Sequence, residues 1–333
     1  MDYPMVDPEV HIGRDLFGLG KNTEVNSDIR VFKEKMTELK VVKAFLISAP
    51  SYELKIGRSI VERSCIWRIK PNGEVSYIKE TISDQRLTKE INPTQPYINA
   101  NLAVLRIVKK ENRKSGKKRF YFVPIFHPKL DKPENIERFL NDENTSAVKI
   151  HGIATYCSYK DVPEWAIRLF KKYDIPLLLH TDYLRRKKSG ILTSIQKLQL
   201  ANSALLWSKW ILKNNIRAYL AHGASVDPSV AKLVNKEDDL IVGTGPDCLL
   251  EKRRKTSLNE ESIHYLEGLL ENFIPEKIAY SSDYPWNIDL QNKSKYLDWH
   301  SKERIVKTCL EHNFNKKDIE RILSMNSIRF FDL

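Results

Sequence analysis

The chain has 333 residues, 41% of them hydrophobic and 29% charged, which is enough to bury a substantial core. No apolar run approaches the roughly 18 residues of a membrane span, and the opening MDYPMVDPEV lacks the basic and apolar segments of a secretory signal. A formal net charge of +12 favours anionic partners, and four scattered cysteines without a C-x-x-C spacing read as reduced thiols of a cytoplasmic protein.

Residues 1–12 read as a first strand. Within it, MVDPEVH sets Asp7, Glu9 and His11 at alternate positions, so all three share one face. Gly13 and the following LFGLG make a loop over the mouth of a site. A helix is predicted over Asp28–Leu39 with Asp28 as its N-cap, followed by a second strand, Val41–Ile47. Residues 50–93 break the rhythm. There Ile66–Ile69, Pro71-Asn72-Gly73 and Val75–Ile78 predict a β-hairpin, because Asn-Gly suits the positive φ of a tight turn.

The alternation then resumes. Tyr97–Lys110 is amphipathic and helical, with Ser115-Gly116 as its stop, and Phe120–Phe126 is a strand leading to His127. A helix over Pro133–Asn141 precedes a strand over Ala147–His151 that carries Lys149. A helix over Pro163–Tyr173 precedes a strand ending at His180. Residues 190–214 hold the longest helical pattern, and a strand ending at His222 follows. After a short helix over Ser229–Val234 comes a strand over Asp239–Val242, then a helix over Leu258–Phe273. The stretch KIAYSSDYPW at 277–286 contains a last strand running into Asp283, and two helices begin near Ser301. Eight strands alternating with helices predict an α/β fold, a TIM-like (β/α)8 barrel. It is read as a single domain over 1–333 with a β-hairpin insertion after strand two at about 50–93.

His180, His222 and Asp283 lie at three separate strand ends, where a barrel brings distant positions together. A carboxylate at the end of a buried strand is costly unless a metal, a cation or a reacting proton meets it. Imidazole and carboxylate together suit zinc, manganese or iron, and leave room for a water that the ion acidifies. Basic clusters at 109–119, 185–188 and 251–255 add to the prospect of anion binding.

These pieces resemble the amidohydrolase superfamily, in particular its amidohydrolase-related (amidohydrolase 2) branch of metal-dependent hydrolases and decarboxylases. The matching segments are VDPEVHIG, AVKIHG, IPLLLHTD, YLAHGAS, AYSSDYPW and the closing DIERILSMNSIRFFDL, in that order along nearly the whole chain. The resemblance implies a TIM-like barrel with a divalent ion, zinc or manganese, and attack by activated water on a small anionic substrate, or a decarboxylation. It implies Glu9, His11, His180 and Asp283 as metal ligands. His222 would bind metal or polarise substrate, and Asp283 would also act as general base. Lys149 falls where some relatives carry a carboxylated, metal-bridging lysine. One departure stands out: the usual first-strand His-x-His reads Glu-x-His here. Glu9 in that place favours harder ions such as Mn²⁺, or marks a metal-free or degenerate site.

Three readings therefore compete. One is a cytoplasmic hydrolase in which Arg14, Arg185 or Arg186, together with Lys149, binds an anionic substrate. Another is a metal-dependent nuclease resembling the TatD-like enzymes, supported by the net charge but lacking the expected glutamate near Lys149. The third is a binding protein without chemistry. No membrane partner is expected, and a homo-oligomer is compatible with all three. A nucleic-acid binder would lose affinity steeply with salt, whereas a hydrolase would lose turnover to a chelator.

Overall fold

The computed structural model describes residues 3–12, 25–48, 54–56, 59–62, 66–69, 75–79, 97–155, 157–181, 200–245, 258–283 and 302–333. The first strand, β1 (Met5–Ile12), pairs in parallel with β2 (Val41–Ser48). Two antiparallel pairs follow in the chain: β3 (Leu54–Ile56) with β4 (Ser59–Glu62), and β5 (Ile66–Ile69) with β6 (Val75–Lys79). The Pro71-Asn72-Gly73 turn expected between the last two lies outside the described residues. Parallel pairing then continues through β7 (Phe120–Val123), β8 (Val148–Ile150), β9 (Leu177–Leu179), β10 (Ala218–Leu220), β11 (Leu240–Gly243) and β12 (Ile278–Ala279).

The parallel strands form two sheets, ordered β1-β2-β7 and β8-β9-β10-β11-β12. Isolated parallel bridges between Phe122 and Thr145 and between Ile125 and Lys149 join β7 to β8. Eight parallel strands thus stand side by side in chain order. Both faces are buried, as expected where helices cover a parallel sheet. On one face Leu46, Phe122, Val148, Leu177 and Leu240 pack with helix residues such as Val108, Phe170, Trp207 and Leu269. On the other, Val6, Phe45, Tyr121, Leu178, Tyr219, Ile241 and Ala279 meet in a second cluster that also takes in Phe330 and Phe331. The Phe331 ring lies 4.5 Å from Phe45 and 6.0 Å from Tyr219. Among the described residues, no helix is long and apolar enough to cross a membrane.

Local chemistry sets the helix ends. The helix Ile98–Ser115 runs past Lys110 and stops at Gly116, whose φ of 63° and N–H to Arg113 O close its last turn. Pro133 and Pro228 occupy first turns, where a missing N–H is harmless. The continuous helix expected over 190–214 is corrected over its described part. Helical residues 200–201 stop at Asn202, and a new helix, Ala204–Asn214, starts with the Ser203 hydroxyl accepting from Leu206 N–H. Asn202 turns inward instead of continuing the helix. Its amide donates to Cys157 O and its oxygen accepts from the Trp207 indole. Apolar spacing in the sequence runs straight through this break.

The C-terminal segment fastens β12. Asn315 caps Lys316–Glu320, and Arg321–Met325 then widens into a π turn before Asn326–Phe330. The Ile322 carbonyl accepts from Tyr280 N–H at the end of β12. The buried Asn326 amide donates to Pro275 O at 2.6 Å and Ile278 O at 2.7 Å. Replacing Asn326 with Ala leaves both carbonyls without this donor. Urea denaturation of Asn326→Ala is expected to lose about 1–3 kcal/mol of stability, and an unchanged midpoint would remove Asn326 from this role.

Candidate metal centre

Every residue of β1 is buried, Asp7, Glu9 and His11 among them, and the register with β2 shifts between Asp7 and Val10, so the strict alternation read from the sequence is interrupted there. His11 presents a defined tautomer. Its Nδ1 lies 3.2 Å from Ser48 O, an atom that can only accept, so Nδ1 carries the hydrogen. Burial, together with Lys149, pushes His11 down to about 4. At neutral pH its Nε2 is therefore a bare lone pair, and it faces Asp283 Oδ1 at 3.6 Å. The fit to an ion rests on this arrangement, since two acceptors confront each other at a distance too long for a hydrogen bond.

Glu9 completes the arrangement. Its Oε1 accepts from Lys149 Nζ at 2.5 Å, with both side chains fully buried. Its Oε2 is buried with no hydrogen-bond donor. Burial raises the Glu9 pKa, but the adjoining Lys149 overrides this and holds it at about 2. Glu9, His11 and Asp283 each offer a ligand atom, and these atoms lie within 4.8 Å of one another. Gly245 backs the trio. A Cβ there would sit 3.5 Å from Glu9 Oε2, 3.7 Å from Asp283 Cβ and 2.9 Å from Ser281 Oγ. The donor set, two carboxylates and an imidazole fixed by a backbone carbonyl, suits a divalent ion.

Three further histidines stand beside it. His222 Nε2 and His180 Nδ1 are hydrogen-bonded at 2.8 Å, and the His151 ring stacks on His180 with centroids 3.7 Å apart. Burial drives His151 and His180 well below the ordinary imidazole range. His180 is thus joined to His222 and lies outside the trio. Lys149 stands inside the cluster, whereas Arg14, Arg185 and Arg186 lie outside the described residues. Sequence reading gave no site role to His151, although it follows Lys149 at the alternate position that set the pattern in β1.

Two of these side chains sit on unusual backbone. Asp283 has φ 51°, and His222 opens a run of positive φ through Gly223, Ala224, Ser225 and Val226. A left-handed turn costs an L-residue roughly 1–2 kcal/mol, so packing must hold it. Tyr265 contributes. Its hydroxyl donates to Gly245 O, and it would lie 2.3 Å from any Cβ on Gly223.

No protein-family model matches the sequence, and no curated protein matches it. Solved structures do. An apo structure from Agrobacterium tumefaciens aligns with TM-score 0.58 at 13% identity, over 100% of this chain and 97% of that one. A structure described as an amidohydrolase II gives 0.56 at 11%, over 99% and 100%. Metarhizium anisopliae IDCase in apo form gives 0.54 at 11%, over 99% and 97%. The chain has the fold of the amidohydrolase structures. At these identities the likeness speaks for the amidohydrolase fold, and the chemistry must come from the side chains.

Two measurements probe the centre. Ser225 has φ 61° and a buried hydroxyl without a partner. Ser225→Gly is therefore expected to raise stability by about 1 kcal/mol, read from its denaturation midpoint. Asp7 accepts from Ser282 N–H at 3.0 Å and Glu9 N–H at 3.3 Å, yet burial, opposed by these bonds, raises it to about 7. Between about pH 4 and pH 7 the folded chain keeps a proton that the unfolded chain has released. Stability from this group therefore falls as pH rises through that window. In chelator, Asp7→Asn is expected to gain on the wild type between pH 5 and pH 8, by at most about 3 kcal/mol. A constant difference across that range would contradict the assignment.

Proposed function

We propose that the eight parallel strands close into a (β/α)8 barrel and that the chain is a metal-dependent hydrolase. Contacts across the strands support closure. In a flat sheet β1 and β8 would stand about three strand spacings apart, roughly 14 Å, yet Glu9 and Lys149 touch. Ser282, just beyond β12, likewise bonds Asp7 of β1. Curling the strands brings both pairs together.

The observation that carries the function is the convergence of three buried acceptor groups, Glu9, His11 and Asp283, whose ligand atoms lie within 4.8 Å of one another, with Glu9 Oε2 lacking a hydrogen-bond partner. We assign Glu9, His11 and Asp283 to hold a divalent ion, with His180 adjacent. Two carboxylates and one imidazole favour manganese over a nitrogen-rich zinc site. Such an ion, when bound, supplies Lewis acidity and lowers the pKa of water toward about 7. Asp283 then takes the proton from the attacking water. His222, coupled to His180, hydrogen-bonds the substrate oxygen on which charge develops. Ser48 keeps the His11 lone pair directed to the centre, and Gly245 leaves room beside Glu9 Oε2. Arg14, Arg185 and Arg186 are proposed to bind the anionic end of a small substrate.

The test is metal analysis of protein purified without chelator, paired with turnover on a panel of small carboxylate-bearing esters, amides and lactones. The wild type is expected to hold Mn²⁺ or Zn²⁺ and to lose turnover in chelator. Glu9→Gln, His11→Ala and Asp283→Asn are each expected to weaken ion binding by at least about 100-fold, beyond the effect of removing an outer partner. Turnover unaffected by chelation, or by Asp283→Asn, would sink the assignment.

A further inference from the structure

We propose that the outer face of the helix Ile98–Ser115 is a docking surface for the phosphate backbone of nucleic acid. It stands apart from the metal centre and does not depend on it. Between Tyr97 and Arg119 the chain holds eight basic residues and one acidic, Glu111, so most of the net charge of +12 is concentrated here. Arg106, Lys109, Lys110, Arg113 and Lys114 recur at i, i+3, i+4, i+7 and i+8, one stripe of a helical surface, and all five are exposed. Lys117 and Lys118, also exposed, continue it beyond Gly116.

The stripe has a firm support. Val104, Leu105, Ile107 and Val108 on the inner side of the helix belong to the core. Asn112 fixes the turn that follows: its amide donates to Phe120 O at 2.8 Å, and its oxygen accepts from Arg119 N–H at 3.0 Å and Phe120 N–H at 2.9 Å. Neighbouring carboxylates offset only part of the charge. Asp142 pairs with Lys109 at 2.5 Å, and Glu111 pairs with Lys33 at 2.6 Å and Lys114 at 3.7 Å. Among the described residues, Arg106, Lys110, Arg113 and Lys117 form no ion pair. Like charges at i, i+4 destabilise a helix, and Arg106 with Lys110, Lys109 with Arg113, and Lys110 with Lys114 stand in that relation. The helix dipole accounts for Arg113 and Lys114 in the last turn. It does not account for Arg106, Lys109 and Lys110, which lie before that turn.

A row of phosphates relieves this repulsion. From Arg106 to Lys114 the stripe runs about 12 Å, over which one strand of a duplex presents three or four phosphates at a rise of about 3.4 Å. The surface suits nucleic acid better than a lipid bilayer. A helix that lies in a membrane surface buries its apolar face there, and the apolar face of this helix is already spent within the fold. Tyr121, the ring beside Lys118, is itself buried, so it offers bases no stacking platform. Recognition therefore runs through phosphate and is independent of base sequence.

The closing experiment is fluorescence anisotropy with labelled mixed-sequence DNA and RNA duplexes, run in chelator so that the metal centre takes no part. The wild type is expected to bind, and to lose affinity about 100-fold between about 50 and 200 mM salt, as roughly four phosphate contacts require. Binding to either duplex supports the proposal, and the tighter of the two names the source of the phosphate. Arg106→Gln, Lys110→Gln, Arg113→Gln and Lys117→Gln combined are expected to weaken binding at low salt at least about tenfold, and to lessen the salt slope by about one per cation removed. Lys209→Gln, Lys213→Gln, Lys232→Gln and Lys236→Gln combined remove the same charge from exposed positions elsewhere. That control is expected to stay within about twofold of the wild type. Equal losses in the two variants would show that overall charge, not the stripe, is responsible, and would overturn the proposal. So would no binding at low salt, or tighter binding to phosphatidylserine–phosphatidylcholine vesicles than to either duplex. Lysine acetylation of the wild type, read by mass spectrometry, supplies a readout that needs no variant. Duplex is expected to protect Lys110 and Lys117 and to leave Lys209 and Lys213 reactive; uniform protection would refute the stripe.

Discussion

A single ion pair organises the interior. Glu9 on β1 and Lys149 on β8 meet with neither side chain open to water, although β2 and β7 stand between their strands. Burying two such charges is expensive, and only close geometry with further hydrogen bonds makes it tolerable. The pair therefore constrains curvature and chemistry together. Strands that did not curl would separate the charges, and a centre without Lys149 would leave Glu9 unbalanced. The same contact holds Glu9 in the group it forms with His11 and Asp283.

The remaining groups are held by neighbours of low polarity or by backbone. Ser48 O selects the His11 tautomer, and burial keeps His151 and His180 below their usual range. His222 and Asp283 occupy left-handed backbone that glycine would adopt more readily. Strain of this kind persists where surrounding structure over-determines it and is often found at working sites. Tyr265, reaching both the turn after β10 and the Gly245 carbonyl, is one such determinant.

Much of this was legible in the chain itself. Alternation in MVDPEVH placed Glu9 and His11 on one face, and apolar runs ending in His180, His222 and Asp283 marked strand ends. Strand order followed from the rhythm. Pairings that depend on rotamers were not legible. Nothing local says that Lys149 reaches Glu9 140 positions away, or that His180 turns to His222 and not to the trio. The break at Asn202 was hidden for a related reason, since a buried amide serving Cys157 and Trp207 interrupts a helix without disturbing its apolar spacing.

The clamp on β12 has a bearing on how the molecule comes into being. Asp283 follows the two-residue strand β12, where the Ile278 carbonyl accepts from Asn326 and the adjoining Tyr280 N–H donates to Ile322 O. During synthesis, β1 through β11 emerge well before those partners do. The meeting of Glu9, His11 and Asp283 is therefore among the last parts to assemble, and the growing chain carries these acidic and imidazole groups in an unfinished pocket until the final helical turns dock. A cut near residue 315 would sever the segment that holds β12 from the rest of the chain while leaving Glu9, His11 and Asp283 together in one polypeptide.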